Sequence, residues 1–159
     1  MIESPARTRG RRWIGEAVPR KEDPALLTGA GRFIDDLQPF PNMHHAAILR
    51  SPHAHARIRG IDYARALELE GVAAVLTGER VAQMAKPFHA GISAPVDFYP
   101  IAVGKVRYAG EPVAVVVARD RYVAEDALAL IEVEYEGLEP VVEIDRALES
   151  ASPALHENV

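Results

Sequence analysis

The passage RYVAEDALALIEVEYE, residues 121–136, restricts the possible folds more than any other stretch of the sequence. Its hydrophobic residues change once from helical spacing to strand-like alternation. Four apolar residues recur at helical spacing and predict one buried stripe: Ala124, Ala127, Leu128 and Ile131. Apolar and charged residues then alternate, which predicts a half-buried strand whose inner face carries Ile131, Val133 and Tyr135. A helix that passes directly into a strand indicates a fold of the α/β (α+β) class.

Shorter elements of the same two kinds are predicted along the rest of the chain. Strands are predicted at 43–51, 56–62 and 72–78, and residues 106–120 form a strand, a turn at 110–112 and a second, β-branched strand. Short helices are predicted at 63–70, 79–85 and 143–150, the first capped by Asp62 and closed by Gly71. The strand at 43–51 is apolar enough to be buried on both faces. Residues 31–37 have a β-like centre, and residues 86–104 form a long loop.

Composition places the chain among ordinary globular proteins and excludes several functions. Its 159 residues are 48% apolar and 26% charged, which is enough for one domain with a real core. A net charge of −5 argues against a nucleic-acid binder. No apolar run approaches the roughly 20 residues of a membrane helix. The absence of cysteine excludes disulfides and thiolate-bound metals, and with no export signal we expect a cytoplasmic protein.

The beginning of the chain is basic and irregular. Six positive side chains crowd the first 21 residues: Arg7, Arg9, Arg11, Arg12, Arg20 and Lys21. We therefore expect a basic N-terminal arm at 1–13 and a single domain at 14–159. Arms of this kind are commonly solvated and poorly ordered. The alternative is an arm that docks on an acidic partner.

The stretch RSPHAHARIRGID, residues 50–62, contains the pair His53 and His55, and in a strand residues two apart share a face. The pair could therefore bind one metal, but a zinc or iron site needs at least a third protein ligand. The other histidines stand at no familiar ligand spacing: His44, His45, His89 and His156. The default interpretation is therefore a histidine that packs and hydrogen-bonds to the backbone, and we expect this of His55, with His53 in a looser position.

Glycine and carboxylate motifs are equally weak candidates for chemistry. Gly29 and Gly31 lack the third glycine and the following helix of a dinucleotide loop. Asp35 and Asp36 are adjacent, so on a strand they would point to opposite faces and form no acid–base dyad. The remaining carboxylates are typical of solvated faces: Glu125, Asp126, Glu132, Glu134 and Glu136. Glu111 stands in a Gly-Glu-Pro turn, where stabilising the turn is favoured over catalysis.

Five segments, taken together and in order, resemble one known domain. They are PRKEDPALLTGAGRFIDDL, AAILRSPHAHARIRGID, GVAAVLTGE, VRYAGEPVAVVVARDRYVAEDALALIEVEYEGLEPVV and ALHEN. Their order and spacing are similar to those of the α/β-hammerhead domain that opens the large subunit of the molybdenum hydroxylases. This is the family of xanthine dehydrogenase, aldehyde oxidase and carbon monoxide dehydrogenase. The resemblance runs from about Ile14 to Val159 and implies a mixed sheet with short helices.

The resemblance also implies a reaction for a larger assembly. Family members oxidise a carbon centre with a molybdopterin cofactor and water, and pass electrons through iron–sulfur clusters to FAD. The molybdenum contacts and the catalytic base belong to domains that follow this one. The resemblance therefore assigns no catalytic, cofactor-binding or metal residue to this chain. It implies a structural part whose partner is the molybdenum-cofactor-binding subunit or domain, with the iron–sulfur subunit as a further candidate.

Several accounts of this chain stay open at the level of sequence. It is either a separate subunit of a split large subunit or a piece of a longer one. It is otherwise a stand-alone assembly or binding module, or part of a related complex with non-redox chemistry. A domain that normally packs on neighbours should expose an apolar patch when it is alone.

Overall fold

The computed structural model describes residues 14–15, 17–37, 39–88 and 96–156. The predicted basic arm at 1–13, His89 and the centre of the long loop lie outside these residues. The chain divides into two compact units, Met1–Pro41 and Asn42–Val159. The domain boundary at residue 13 stays a prediction.

The first unit contains two short helical turns, and neither buries a residue. They are the helix α1 (Asp23–Leu27) and a 3-10 turn at Ile34–Asp36. The prediction of a β-like centre at 31–37 is wrong, because Asp36 folds the backbone into a turn. Its carboxylate accepts the N–H of Phe33 at 2.9 Å, and its own N–H donates to the Phe33 carbonyl at 3.1 Å.

The strands of the second unit pair into two three-stranded sheets. They are β1 (His45–Arg50), β2 (Ala56–Asp62), β3 (Val72–Thr77), β4 (Lys105–Val106), β5 (Pro112–Ala118) and β6 (Glu132–Gly137). The first sheet has the order β1-β5-β3 and the second the order β4-β2-β6, with antiparallel neighbours throughout. The predicted class is confirmed. The strands form two antiparallel sheets instead of the one mixed sheet that was predicted.

Four short helices connect or follow these strands: α2 (Ala64–Glu68), α3 (Gly78–Met84), α4 (Arg121–Leu128) and α5 (Ile144–Ala147). The carboxylate of Asp62 accepts the N–H of Ala64, the first residue of α2, at 3.0 Å, so the predicted bond to the first turn is present. The N-cap position itself is Tyr63, and Asp62 is the last residue of β2, so the prediction of Asp62 as the N-cap is wrong by one residue. Gly71, at φ 97°, follows α2 as predicted. Within the described residues, these helices are too short and too polar to cross a membrane.

Strand β5 is the centre of the first sheet, and its β-branched sequence explains why. Val113, Ala114, Val116 and Ala118 are fully buried. One core cluster joins Ala114 and Val116 to Ala127 and Ile131, which confirms the predicted stripe of α4. A second cluster joins Val113 to Ala56, Ala102 and Val106. Ile61 and Val133 pack against both clusters, so the two sheets share their core side chains.

Strand β1 lies at an edge of the first sheet and pairs with β5 alone. Its residues alternate between half-buried and exposed positions along the whole strand. The prediction that this strand is buried on both faces is therefore wrong. The apolar side chain of Ile48 is 43% exposed, because no described element of this unit covers that face of the edge strand.

Helix α4 is capped by Asp120, whose carboxylate accepts the N–H of Val123 at 2.9 Å. This backbone hydrogen bond is the main cause of the lowered pKa of Asp120. The ionised cap therefore stabilises the fold fully above the unfolded pKa of 3.8, and this stabilisation is lost as pH falls through the lowered folded value. We expect Asp120→Ala to reduce the urea midpoint of unfolding at pH 7 and to have a clearly smaller effect at about pH 2.5.

Asp126→Ala, on the exposed side of the same helix, is the matched control and should change the midpoint little at either pH. An effect of Asp120→Ala that is equally large at both pH values would show that the ionised carboxylate is not the stabilising group.

Candidate functional site

His53 and His55, the pair that suggested a metal site, diverge in the structure. Strand β2 begins only at Ala56, so the argument that the two side chains share a strand face does not apply. His53 is exposed, and its ring centroid lies 4.7 Å from that of Tyr135. His55 is only 5% exposed, and its Nδ1 lies 2.8 Å from the carbonyl oxygen of Glu139. Because a carbonyl only accepts, this contact requires a proton on Nδ1.

His55 joins the loop before β2 to the segment that follows β6. Besides its ring contact to Glu139, its carbonyl accepts the N–H of Leu138 at 2.9 Å. Two hydrogen bonds thus connect His55 to positions 83 and 84 residues further along the chain. The prediction that His55 packs and hydrogen-bonds to the backbone is confirmed.

Ser51 locks the same loop to the turn before β5. Its N–H donates to the carbonyl of Glu111 at 2.9 Å, and its carbonyl accepts the N–H of Gly110 at 2.8 Å. The guanidinium of Arg50 adds a bond to the Gly110 carbonyl at 2.8 Å. The Ser51 hydroxyl oxygen accepts the N–H of His53 at 3.0 Å. We call these three segments, residues 50–55, 107–111 and 138–139, the turn junction.

Glu111 stabilises this junction from inside its own turn. Its carboxylate accepts the backbone N–H of Arg107, and Gly110 before it has φ 88°, a value that favours glycine. The guanidinium of Arg107 donates to the carbonyls of Leu155 and Lys105, both at 3.1 Å. The geometry agrees with the turn-stabilising interpretation of Glu111. The Arg107 side chain extends the junction to the last described residues of the chain.

Tyr135 contributes an aromatic wall to the junction. Burial raises the pKa of its phenol, and a hydrogen bond with Ser51 acts in the opposite direction. The neutral ring packs against His53 at an interplanar angle of 53°. These contacts join Tyr135 on β6 to the side chains of Ser51 and His53 and so help to hold the loop before β2 in position.

The other candidate residues of the sequence lie apart from the junction or serve locally. Asp36 caps its own turn, and Gly29 follows α1 with φ 70°. Glu136 pairs with Arg59 on the second sheet, and Arg121 lies 4.0 Å from Glu125 on α4. The remaining exposed carboxylates are Asp35, Asp126, Glu132 and Glu134.

The remaining described histidines are likewise dispersed. His44 Nδ1 lies 2.9 Å from the Asn42 carbonyl, and His45 is half-buried in β1. The ring of His156 lies 6.1 Å from that of Phe98. Within the described residues, no three histidine or carboxylate side chains form a group that could hold a metal ion.

Sequence reasoning missed Arg107 and Ser51. Each looks unremarkable in its own segment, because its partners lie far along the chain. The signal available was indirect: RSPHAHARI and VRYAGEPVAVVVA both belong to the segments that carry the family resemblance. A cavity of about 560 Å³ adjoins these residues and is lined by Arg107 and Glu111 together with Phe98, Tyr99 and Tyr108.

Comparison with known proteins gives a consistent result. The family model described as "Aldehyde oxidase and xanthine dehydrogenase, a/b hammerhead domain" matches residues 28–139. The carbon monoxide dehydrogenase large chain of Afipia carboxidovorans is 37% identical over 160 residues, which cover 99% of this chain and 20% of that protein. This chain therefore spans about a fifth of the length of that relative.

Two solved structures support the same assignment. Quinoline 2-oxidoreductase from Pseudomonas putida 86 is 46% identical with a TM-score of 0.76, over 88% of this chain and 18% of that one. The Cu,Mo-CO dehydrogenase is 37% identical with a TM-score of 0.74, over 91% of this chain and 18% of that one. The residues matched by the family model, 28–139, include all three segments of the turn junction. The chain belongs to the aldehyde oxidase and xanthine dehydrogenase family and contains its α/β-hammerhead domain.

Proposed function

We propose that this chain is a non-catalytic structural subunit or domain of a molybdopterin-dependent hydroxylase or dehydrogenase. In this role it packs against the part that binds the molybdenum cofactor. The main support for the proposal is the turn junction. Its side chains form hydrogen bonds with backbone groups, and these bonds hold three loops together. Such an arrangement positions a surface and leaves the chemistry to a partner. The small share of its relatives that the chain spans supports a place within a larger protein.

The donor atoms of this chain do not fit an iron–sulfur cluster. An iron–sulfur cluster is held by cysteine thiolates, and the sequence has no cysteine. The part of the chain that the structure describes also lacks a cluster of three possible metal ligands. We accordingly propose that molybdopterin, iron–sulfur clusters and FAD belong to the wider assembly, which we place in the cytoplasm, and that no catalytic residue lies in this chain. The relatives act on different substrates, so the proposal stops at the class of reaction.

Purification of the native assembly through a tag on this chain tests the proposal. We expect a larger polypeptide to copurify, with molybdenum detected by elemental mass spectrometry and with iron–sulfur and flavin absorbance. The mass of the complex identifies the partner. A complex that contains a partner chain, but neither molybdenum nor a visible chromophore, would contradict the redox assignment and favour the non-redox alternative.

A further inference from the structure

Helix α5 presents an apolar face that no described residue of its own unit, Asn42–Val159, covers. Ile144 and Leu148 are each 83% exposed, and Val142 just before the helix is 77% exposed. Residues four apart lie on one side of a helix, so Ile144 and Leu148 form a single stripe. None of the residues of α5 is buried. Scattered exposed apolar residues are ordinary, but three neighbours on one short element are typical of an interaction site.

The segment that carries this face is held at both ends. Before it, Leu138 and Glu139 are bonded to His55 at 2.9 and 2.8 Å. After it, the Leu155 carbonyl accepts from Arg107 at 3.1 Å. Val141 and Ala147 line a cavity of about 330 Å³ together with Leu155, so this side of the segment faces the end of the described chain that Arg107 holds. A surface that is fixed before binding loses less conformational entropy when it binds.

The charges around the apolar face indicate which kind of partner surface would be complementary to it. Three acidic residues flank it, Glu143, Asp145 and Glu149, and all three are exposed. The single basic residue of α5, Arg146, pairs with Glu139. A complementary partner surface would therefore be apolar at its centre and rimmed by lysine or arginine.

The comparisons indicate where this partner surface lies. The match to the hammerhead family model ends at residue 139, before α5 begins. The similarity to a full-length large chain covers 99% of this chain, so it includes α5. Helix α5 thus lies outside the matched domain but inside the region that is similar to the large chain. This is the position expected of a segment that joins the hammerhead domain to the rest of a large chain.

We propose that the face formed by Val142, Ile144 and Leu148 docks on the remainder of the molybdenum hydroxylase large subunit. The occupant is an apolar surface with a basic rim in that remainder. This inference rests on the proposed function, because it names the contact through which the structural part would be held.

The double variant Ile144→Ser with Leu148→Ser tests this contact in the assembly with the rest of the large subunit. We expect the dissociation constant to rise by about tenfold or more, because two central apolar side chains are lost. The thermal midpoint of the chain alone should change little, since both side chains are exposed without a partner. Tyr122→Ser, at a side chain 76% exposed on α4, is the matched control and should leave binding unchanged.

A second variant tests the charge complementarity without touching the apolar face. Glu149→Lys should weaken binding severalfold at low salt, and the difference should shrink as salt screens the rim charges. Amide hydrogens of α5 should also exchange more slowly in the assembly than in the chain alone.

The outcomes separate the inference from the function on which it rests. If the wild-type complex forms and the double variant binds as tightly, the inference is wrong and the proposed function stands. If the chain alone forms a dimer that the double variant abolishes, a second copy covers the face and the inference is also wrong. If the wild-type chain binds no part of a large subunit, the proposed function fails and the inference fails with it.

Discussion

Gly78→Ala is expected to destabilise the fold by about 3 kcal/mol, as overpacking of a closely packed site does. Gly78 begins helix α3, and a β-carbon at this position would overlap the carbonyl oxygen of Ala102 and lie 2.6 Å from its carbonyl carbon. Ala102 is nearly buried, and its N–H donates to the carbonyl of Pro112 at 2.8 Å. It therefore cannot withdraw without breaking that bond or disturbing the second core cluster.

Urea denaturation gives the free energy of unfolding that checks this expectation. Gly137→Ala is the matched control, because a β-carbon there would have no neighbour within 4 Å. The control should change the free energy of unfolding by less than about 1 kcal/mol. If the two variants were equally stable, the close approach of α3 to residue 102 would be refuted.

His55→Ala should cost about 3 kcal/mol, from the lost packing of a buried ring and from the Glu139 carbonyl left without its donor. His53→Ala is the matched control at an exposed position. It loses one ring contact with Tyr135 and should cost less than about 1 kcal/mol. His55→Asn places an amide N–H near the position of Nδ1 and should recover part of the loss. Denaturation in urea measures all three variants.

The same variant separates a structural role from a metal-binding one. Because His55 holds loops, His55→Ala should lower the amount of assembled complex and leave the molybdenum content of each assembled complex unchanged. Elemental analysis of the assembled fraction measures this ratio. A fall in molybdenum per assembled complex would mean that His55 acts on the cofactor and not on the fold.

The sequence pattern correctly predicted the helices and strands that are determined by residues close to one another in the chain. The period change at Ile131 is contained in one stretch, so α4, its buried stripe and the alternation of β6 followed from the sequence. The side-chain bond of Asp62 at the start of α2 and the glycine conformation of Gly71 after its end were predictable for the same reason. Both depend on residues that are close in the sequence.

The errors have causes that the local pattern does not contain. The burial of β1 depends on its place at a sheet edge, which is a property of the topology. The apolar pair Phe33 and Ile34 favours an extended conformation. The hydrogen bond of the Asp36 side chain stabilises a turn at Ile34–Asp36 instead. Arg107 could not be identified because its partner carbonyl at Leu155 lies 48 residues away. The candidate site was predictable only as far as the family resemblance reached.

The strand order has a consequence for how the chain folds as it is synthesised. Strands β1 and β3 meet only through β5, and the pairing of His45 with Ala118 joins residues about seventy positions apart. At ribosomal rates of about 5–20 residues per second, β1 waits several seconds before its partner emerges. The nascent chain therefore carries unpaired strand edges until Ala118 and then Gly137 leave the exit tunnel. Chaperone demand should thus persist until β5 has left the exit tunnel and fall once β1 and β3 can pair with it.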